Sequence, residues 1–316
     1  MTKHTRLRRG IRALRLYYRS HALFRAALMD TARTWWFPFI GRGEFRTRSE
    51  GRVLIVPRRY WTMLPTACRL LLFGAWPEWR DGFLRVTLGR FHLVAAPREK
   101  SVHILKEVFV DDVYRLGDTD LRGQTVIDVG ANIGGASVAF AARGAQVYAF
   151  EPLPILQPYL QENIALNDLR GRIVAHAVGL SSRDAIVRTL VNASGTAGAT
   201  TSETVARGDA LEQELRLVEA VPYLQAHGIK HANILKLDCE GCEYELLADT
   251  TLLDYLKPDR IVLEYHRGGN ELHSFLEGLG YQVERSEREN HVGYLYAVRR
   301  ELNNAGPGTG RVDRGE

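Results

Sequence analysis

From about residue 106 to 300 the apolar positions alternate between two rhythms. Short runs rich in β-branched and aromatic residues read as strands: TVIDVG (125–130), QVYAFE (146–151), RIVAHAV (172–178), ANILKLD (232–238), RIVLEYH (260–266), YQVERS (281–286) and HVGYLYAVR (291–299). Between them, residues 136–143, 153–167, 243–247 and 271–279 repeat their apolar positions at helical spacing. A Gly/Ser/Thr-rich stretch and a further helical segment fill the gap between the third and fourth strands. Strands alternating with helices predict a parallel sheet covered by helices. Only residues 287–290 separate the last two strands. So short a link cannot hold a crossover helix, so these two strands should pair antiparallel.

Ahead of this region the pattern changes. RVLIV (52–56) reads as a strand, and FLRVT and FHLVA around Leu88-Gly89-Arg90 read as a hairpin. The longest apolar run, Thr62 to Trp76, is broken by Arg69 and falls short of a membrane span. The chain therefore divides into a basic N-terminal arm with a small α/β extension (1–105), an α/β domain (106–300) and a polar, Gly-rich tail (301–316) expected to be disordered.

Charge sharpens the division. Residues 1–50 carry a balance of +9, and the rest of the chain −4, within a net charge of +5. The basicity belongs to the arm, which argues against a nucleic-acid-binding face on the body. In the arm, Leu7, Ile11, Leu14 and Tyr18 fall at helical spacing among arginines, followed by Trp35, Trp36 and Phe37. Such a segment suits peripheral contact with an anionic membrane through residues 1–40. Packing on the body, with the arginines solvated, explains it more simply and is preferred. The three cysteines, Cys68, Cys239 and Cys242, are too few for a disulfide framework and point to a reducing cytoplasm. The Cys239–Cys242 pair is read as two small packed thiols, since no second pair completes a zinc site. Nothing in the sequence fixes an oligomeric state.

The chemistry starts at VIDVGANIGG (126–135), a glycine-rich turn directly after a strand and before a helix. Gly130 and Gly134 allow a sharp turn and close approach to a ligand. At the end of the next strand, Glu151 can accept hydrogen bonds from two ribose hydroxyls. A nucleoside-containing cofactor is expected across these strand ends. A dinucleotide would want a glycine where Asn132 stands, and Asp128 would repel a pyrophosphate. The same aspartate suits a ligand with an ammonium group, such as S-adenosylmethionine.

The runs VIDVGANIGGASVAFA, AFEPLP (149–154), AHAVGLS (175–181), LKLDCEGCEYELL (235–247) and LEYH (263–266), in this order, closely resemble the FkbM family of S-adenosylmethionine-dependent methyltransferases, and KEVFVDDVYRL (106–116) resembles the family's lead-in. The resemblance covers about residues 105–300. It implies a seven-stranded, Rossmann-like methyltransferase sheet with its last strand antiparallel. It also implies that Asp128, Gly130, Asn132 and Gly134 line the methionyl and ribose portions, that Glu151 holds the ribose, and that Ala177 and Val178 lie near the adenine. The activity implied is O-methylation of a sugar, glycan or polyketide-like product. A nicotinamide-dependent oxidoreductase and a catalytically silent methyltransferase-like binding protein are the rivals. No Pro-Pro-aromatic run follows the fourth strand, which weighs against base methylation.

A second constellation lies at the ends of the fourth and fifth strands. Asp238, Glu240 and Glu243 follow one, and Glu264 and His266 end the other. Ligands bind at such strand ends in open α/β sheets. Taking up the proton of an attacking hydroxyl suits a histidine neutral near pH 7, oriented by a carboxylate. His266, Asp238, Glu264 and Glu240 are therefore the catalytic candidates, with Asp238 also near the cofactor. Glu243 equally well reads as an acid favoured by a helix N-terminus. The cluster has some likeness to a hard-metal site, but no dedicated metal-loop spacing is present and no metal is assigned.

Overall fold

The computed structural model describes residues 45–49, 52–96, 99–192, 210–287 and 292–300. The arm's amphipathic segment, its three aromatics and the polar tail lie outside these residues. The described chain forms two compact units, residues up to Arg115 with Glu162–Asp168, and the remainder from Leu116 onward.

In the first unit, β1 (Phe45–Ser49) pairs with β2 (Arg52–Val56), and β3 (Ala75–Arg80), β4 (Phe83–Leu88) and β5 (Phe91–Ala95) form an antiparallel meander. The hairpin read around Gly89 is the β4–β5 pair. β3 escapes the sequence pattern because Pro77 interrupts a run otherwise rich in tryptophan. The apolar stretch that begins at Thr62 folds into the nine-residue helix α1 (Leu64–Leu72), a glycine turn and then β3. Helix α2 spans Glu99–Phe109. Among the described residues no helix is long and apolar enough to cross a membrane. Leu54, Val56, Ala67, Cys68 and Trp76 make the core of this unit. The free backbone edge of β5 is closed by side-chain amides. Asn163 exchanges two hydrogen bonds with Val94, at 2.6 and 3.0 Å, and Asn167 two with His92, at 3.0 and 2.7 Å. Two asparagines at i and i+4 thus stand in for a neighbouring strand.

The second unit is built on a seven-stranded sheet. Its strands are β6 (Thr125–Val129), β7 (Gln146–Phe150), β8 (Ile173–His176), β12 (Ile234–Leu237), β13 (Arg260–Tyr265), β14 (Tyr281–Glu287) and β15 (Gly293–Arg299). Their spatial order is β14-β15-β13-β12-β6-β7-β8. Only β15 runs against its neighbours, pairing antiparallel with both β13 and β14. This is the Rossmann-like methyltransferase topology, with the reversed hairpin foreseen from the four-residue link. The order reverses beside β6, so the ends of β6 and β12 flank a topological switch point, where open α/β sheets bind ligands.

The helices of this unit are α3 (Gly135–Ala141), α4 (Gln157–Leu166, its second half belonging to the first unit), α5 (Ala220–Ala226), α6 (Cys242–Leu246), α7 (Thr251–Leu256) and α8 (Asn270–Gly278). The fourth helix starts at Gln157, four residues later than the sequence pattern suggests. Between β8 and α5 the chain forms β9 (Gly179–Ser181), β10 (Ala185–Asn192) and β11 (Ala210–Glu219), a small sheet in the order β10-β11-β9.

Alternation along the strands separates core from site. Ile127, Val129, Leu235, Leu237, Ile261, Leu263 and Tyr265 join one apolar cluster. The intervening Asp128, Lys236 and Glu264 face the other way, because successive strand residues point to opposite faces.

Candidate functional site

The glycine-rich turn after β6 is held by a buried charge pair. Lys236 on β12 is opposite Asp128 in the strand register. Its Nζ lies 2.9 Å from Asp128 Oδ1 and donates to the carbonyls of Val129, at 3.2 Å, and Gly130, at 2.7 Å. Ser137 of α3 donates to Asp128 Oδ2 at 2.5 Å. Burial works against the Lys236 ammonium, yet Asp128, Asp238 and Glu151 together outweigh it and hold its pKa above the usual value. The Asp128 carboxylate is thus turned inward and neutralised, instead of standing open to a ligand's ammonium group as the sequence reading expects. Its service to the site is to anchor the turn from beneath.

The glycines serve packing as much as ligand approach. A Cβ on Gly130, at φ +76°, would lie 1.9 Å from the carbonyl oxygen of Asp238. The turn after β6 therefore presses directly on the end of β12. A Cβ on Gly134, at φ +85°, would lie 2.6 Å from a methyl of Leu160. Asn132 also takes a left-handed conformation, φ 54°, and its Oδ1 accepts from the Ile133 N–H at 2.8 Å. Short amides tolerate that region better than other non-glycine residues.

Glu151, just beyond β7, clasps the same turn. Its Oε2 accepts from the Asn132 N–H at 2.8 Å and its Oε1 from the Leu153 N–H at 2.9 Å. Burial pushes its carboxyl up to about 7, against the two backbone N–H groups and Lys236, which favour the ionised form. Each oxygen keeps a second lone pair, so the carboxylate can still accept from a ribose. Ala177 is exposed past the end of β8, whereas Val178 is buried and belongs to the apolar core cluster.

The rim of β12 and β13 brings the catalytic candidates together. His266 Nδ1 lies 3.0 Å from Glu243 Oε1, and its Nε2 lies 3.5 Å from Glu240 Oε2 and 3.9 Å from Glu264 Oε2. Glu243 is fully buried, and its other oxygen accepts from the Gly241 N–H at 2.8 Å. Asp238 lies 3.9 Å from Lys236 Nζ, and its N–H donates to Val129. One donor atom from each of Asp238, Glu264 and His266 falls within 4.8 Å of the others. Burial alone would lower the imidazole's pKa, but the Glu243 hydrogen bond and the charges of Glu243, Glu240 and Glu264 overcome it and raise it to about 9. These carboxylates favour the protonated ring at pH 7. That direction weighs against the neutral histidine base expected from the sequence. Sequence reasoning also undervalued Glu243, whose spacing from a helix start looked like dipole compensation. Only its burial opposite His266 shows the stronger role.

Cys239 and Cys242 form a disulfide, with Cα atoms 5.5 Å apart. The packed-thiol reading is thereby overturned, and with it the use of the cysteine count as an argument for a reducing compartment. The local cause is the turn between them, where Glu240 and Gly241 both take positive φ and fold the two side chains together. Tyr244 ties this turn to the next one, accepting from the Arg267 N–H at 2.7 Å and donating to the Gly268 carbonyl at 3.1 Å.

Residues 128–283 match the family model described as the methyltransferase FkbM domain. The methyltransferase sdnD of Sordaria araneosa is 25% identical over 233 residues, covering 63% of this chain and 89% of that protein. The 31-O-demethyl-FK506 methyltransferase FkbM of Streptomyces tacrolimicus is 28% identical over 216 residues, covering 57% of this chain and 81% of that protein. Among solved structures, methyltransferase FkbM from Methylobacillus flagellatus aligns with a TM-score of 0.40 at 15% identity, covering 77% of this chain and 55% of that one. M. jannaschii TYW2 in complex with AdoMet aligns at 0.39 and 15%, covering 70% and 86%.

Proposed function

Because this chain is a methyltransferase of the FkbM family, we propose that it moves the methyl group of S-adenosylmethionine to a hydroxyl oxygen of a sugar, glycan or polyketide-like product. One observation carries the reading. Three carboxylates, Glu151, Asp238 and Glu264, stand at the C-terminal ends of strands of one sheet, around its switch point. The name of the Streptomyces relative specifies an oxygen acceptor, which supports the same reaction class.

The donor set fits an adenosyl cofactor. Glu151 would supply acceptors for the ribose hydroxyls, the turn from Gly130 to Gly134 would border the methionyl side, and the exposed Ala177 would face the adenine. When bound, S-adenosylmethionine supplies a methyl group activated by a sulfonium. Lys236 holds the turn through the Val129 and Gly130 carbonyls and leaves its main chain pre-set. Such placement of reactants supplies up to roughly 7–11 kcal/mol of acceleration. With His266 protonated at pH 7, the hydroxyl proton falls to a carboxylate oxygen of Asp238, Glu264 or Glu240. His266 then orients these acids and tempers their mutual repulsion.

The test is incubation with methyl-labelled S-adenosylmethionine and a panel of sugars, glycosides and macrolide alcohols, with products analysed for the bond formed. Label in a methyl ether supports the proposal. Label found only on nitrogen or carbon, or on no acceptor, contradicts it.

A further inference from the structure

We infer that Asp238, Glu264 and His266 form a binding site for one divalent transition-metal ion, of which Mn²⁺ is the representative. The strand pattern builds the site. Glu264 and His266 are two residues apart and so emerge on one side of β13, and Asp238 follows the neighbouring β12. Their nearest donor atoms lie within 4.8 Å of one another. An ion with ligands at about 2.0–2.3 Å needs donors no more than roughly 4.6 Å apart, so small side-chain rotations close the triangle.

The histidine is prepared for ligation in a way that a solvated acidic patch does not require. Metal-bound histidines commonly give their second ring nitrogen to a carboxylate, which fixes ring orientation and tautomer. Here the fully buried Glu243 takes Nδ1 at 3.0 Å and is itself fixed by the Gly241 N–H, leaving Nε2 directed at Glu264 and Glu240, and the entering ion displaces to solvent the proton that Nε2 otherwise carries. This orienting carboxylate lies outside the ligand set and comes from a different element, α6. Lys236 also stands 3.9 Å from Asp238, but its nearest partners are Asp128 and two backbone carbonyls. One nitrogen with two carboxylates suits Mn²⁺, Fe²⁺ or Zn²⁺ better than the all-oxygen preference of Ca²⁺ or Mg²⁺. Cys239 and Cys242, bonded to each other, offer no thiolate that would draw a softer ion. The role given to the ion, holding the acceptor oxygen at the rim, rests on the methyl-transfer reading; its binding does not.

The experiment uses the full chain stripped with chelator and titrated with MnCl₂, with free Mn²⁺ followed by electron paramagnetic resonance. The expected result is one saturable site per chain, emptied by Zn²⁺, with nitrogen coupling from His266 in the pulsed spectrum. Asp238→Asn and Glu264→Gln should each weaken binding at least tenfold. Glu243→Gln, which removes no ligand but loosens the grip on His266 Nδ1, should weaken it about 10–100-fold. Retained S-adenosylhomocysteine binding by Glu264→Gln checks that this variant is folded. Absence of saturable Mn²⁺ or Zn²⁺ binding overturns the site, as does a bound ion without nitrogen coupling in the wild-type chain, a readout that needs no variant. Saturable Mn²⁺ binding in a chain that ignores S-adenosylhomocysteine would uphold the metal site and remove the cofactor reading instead.

Discussion

At the residue scale, two raised pKa values make opposite kinds of statement. Glu151 is held protonated up to about 7 because its oxygens are buried. In the proposed ribose-binding role, hydroxyls would donate to the ionised form and lower that value in the complex. Affinity for S-adenosylhomocysteine should therefore rise between about pH 5.5 and 7.5 and then level off. Glu151→Gln should bind about 10-fold or more weaker, from the loss of roughly 1.5–3 kcal/mol of charge-assisted hydrogen bonding, and should lose the pH dependence. Calorimetry across this range checks it, and an affinity that falls with pH would contradict the assignment. His266 binds its proton more tightly folded than unfolded, at about 9 against an ordinary 6.5. Its contribution to stability is complete below about pH 6.5 and is lost as pH rises through 9. The stability gap between chelator-treated wild type and His266→Gln, measured in urea, should shrink over that window. A gap that widens with pH would show that the carboxylates do not hold the proton.

At the scale of elements, the turn between β12 and α6 concentrates the constraints. The Cys239–Cys242 bridge closes so short a loop that chain entropy allows it only about 2 kcal/mol. The double variant Cys239→Ser, Cys242→Ser should fold and lose no more than that in denaturant titration. A larger loss would mean that the bridge holds the acidic rim itself. Most of the sheet was legible in the sequence, because its buried strands are short β-branched runs and the helices between them keep a separate period. The β10–β11 hairpin was not. Its second strand, ALEQELRLVE, is made of strong helix formers, and only pairing with β10 reveals that Leu211, Leu215 and Leu217 alternate with Glu212, Glu214 and Arg216. Site residue types were legible for the same reason as the strands, since chemistry collects at strand ends. Which way Asp128 turned, and what Glu243 faced, depended on Lys236 and His266, each more than twenty residues away in sequence. Those are packing facts that no local pattern encodes.

At the scale of the molecule, charge and chemistry occupy different stretches of chain. The arm carries the excess of arginine, while each candidate site residue lies between Asp128 and His266. With packing preferred for the arm, the full chain should stay at the bottom of a flotation gradient with anionic vesicles at low salt, where electrostatic attraction is least screened. Co-flotation lost on deleting residues 1–40 would assign the arm to a membrane surface instead.

In the proposed reading the switch point beside β6 takes an adenosyl methyl donor and not a dinucleotide. Glu151 at the end of β7 and Asn132 in the turn are the residues that separate the two. Side-by-side calorimetric titration of the intact chain with S-adenosylhomocysteine and with NAD⁺ tests this most directly. A single saturable site for S-adenosylhomocysteine is expected, abolished or strongly weakened in Glu151→Ala, with no heat of binding from NAD⁺. Saturable binding of NAD⁺ with no response to S-adenosylhomocysteine would contradict it.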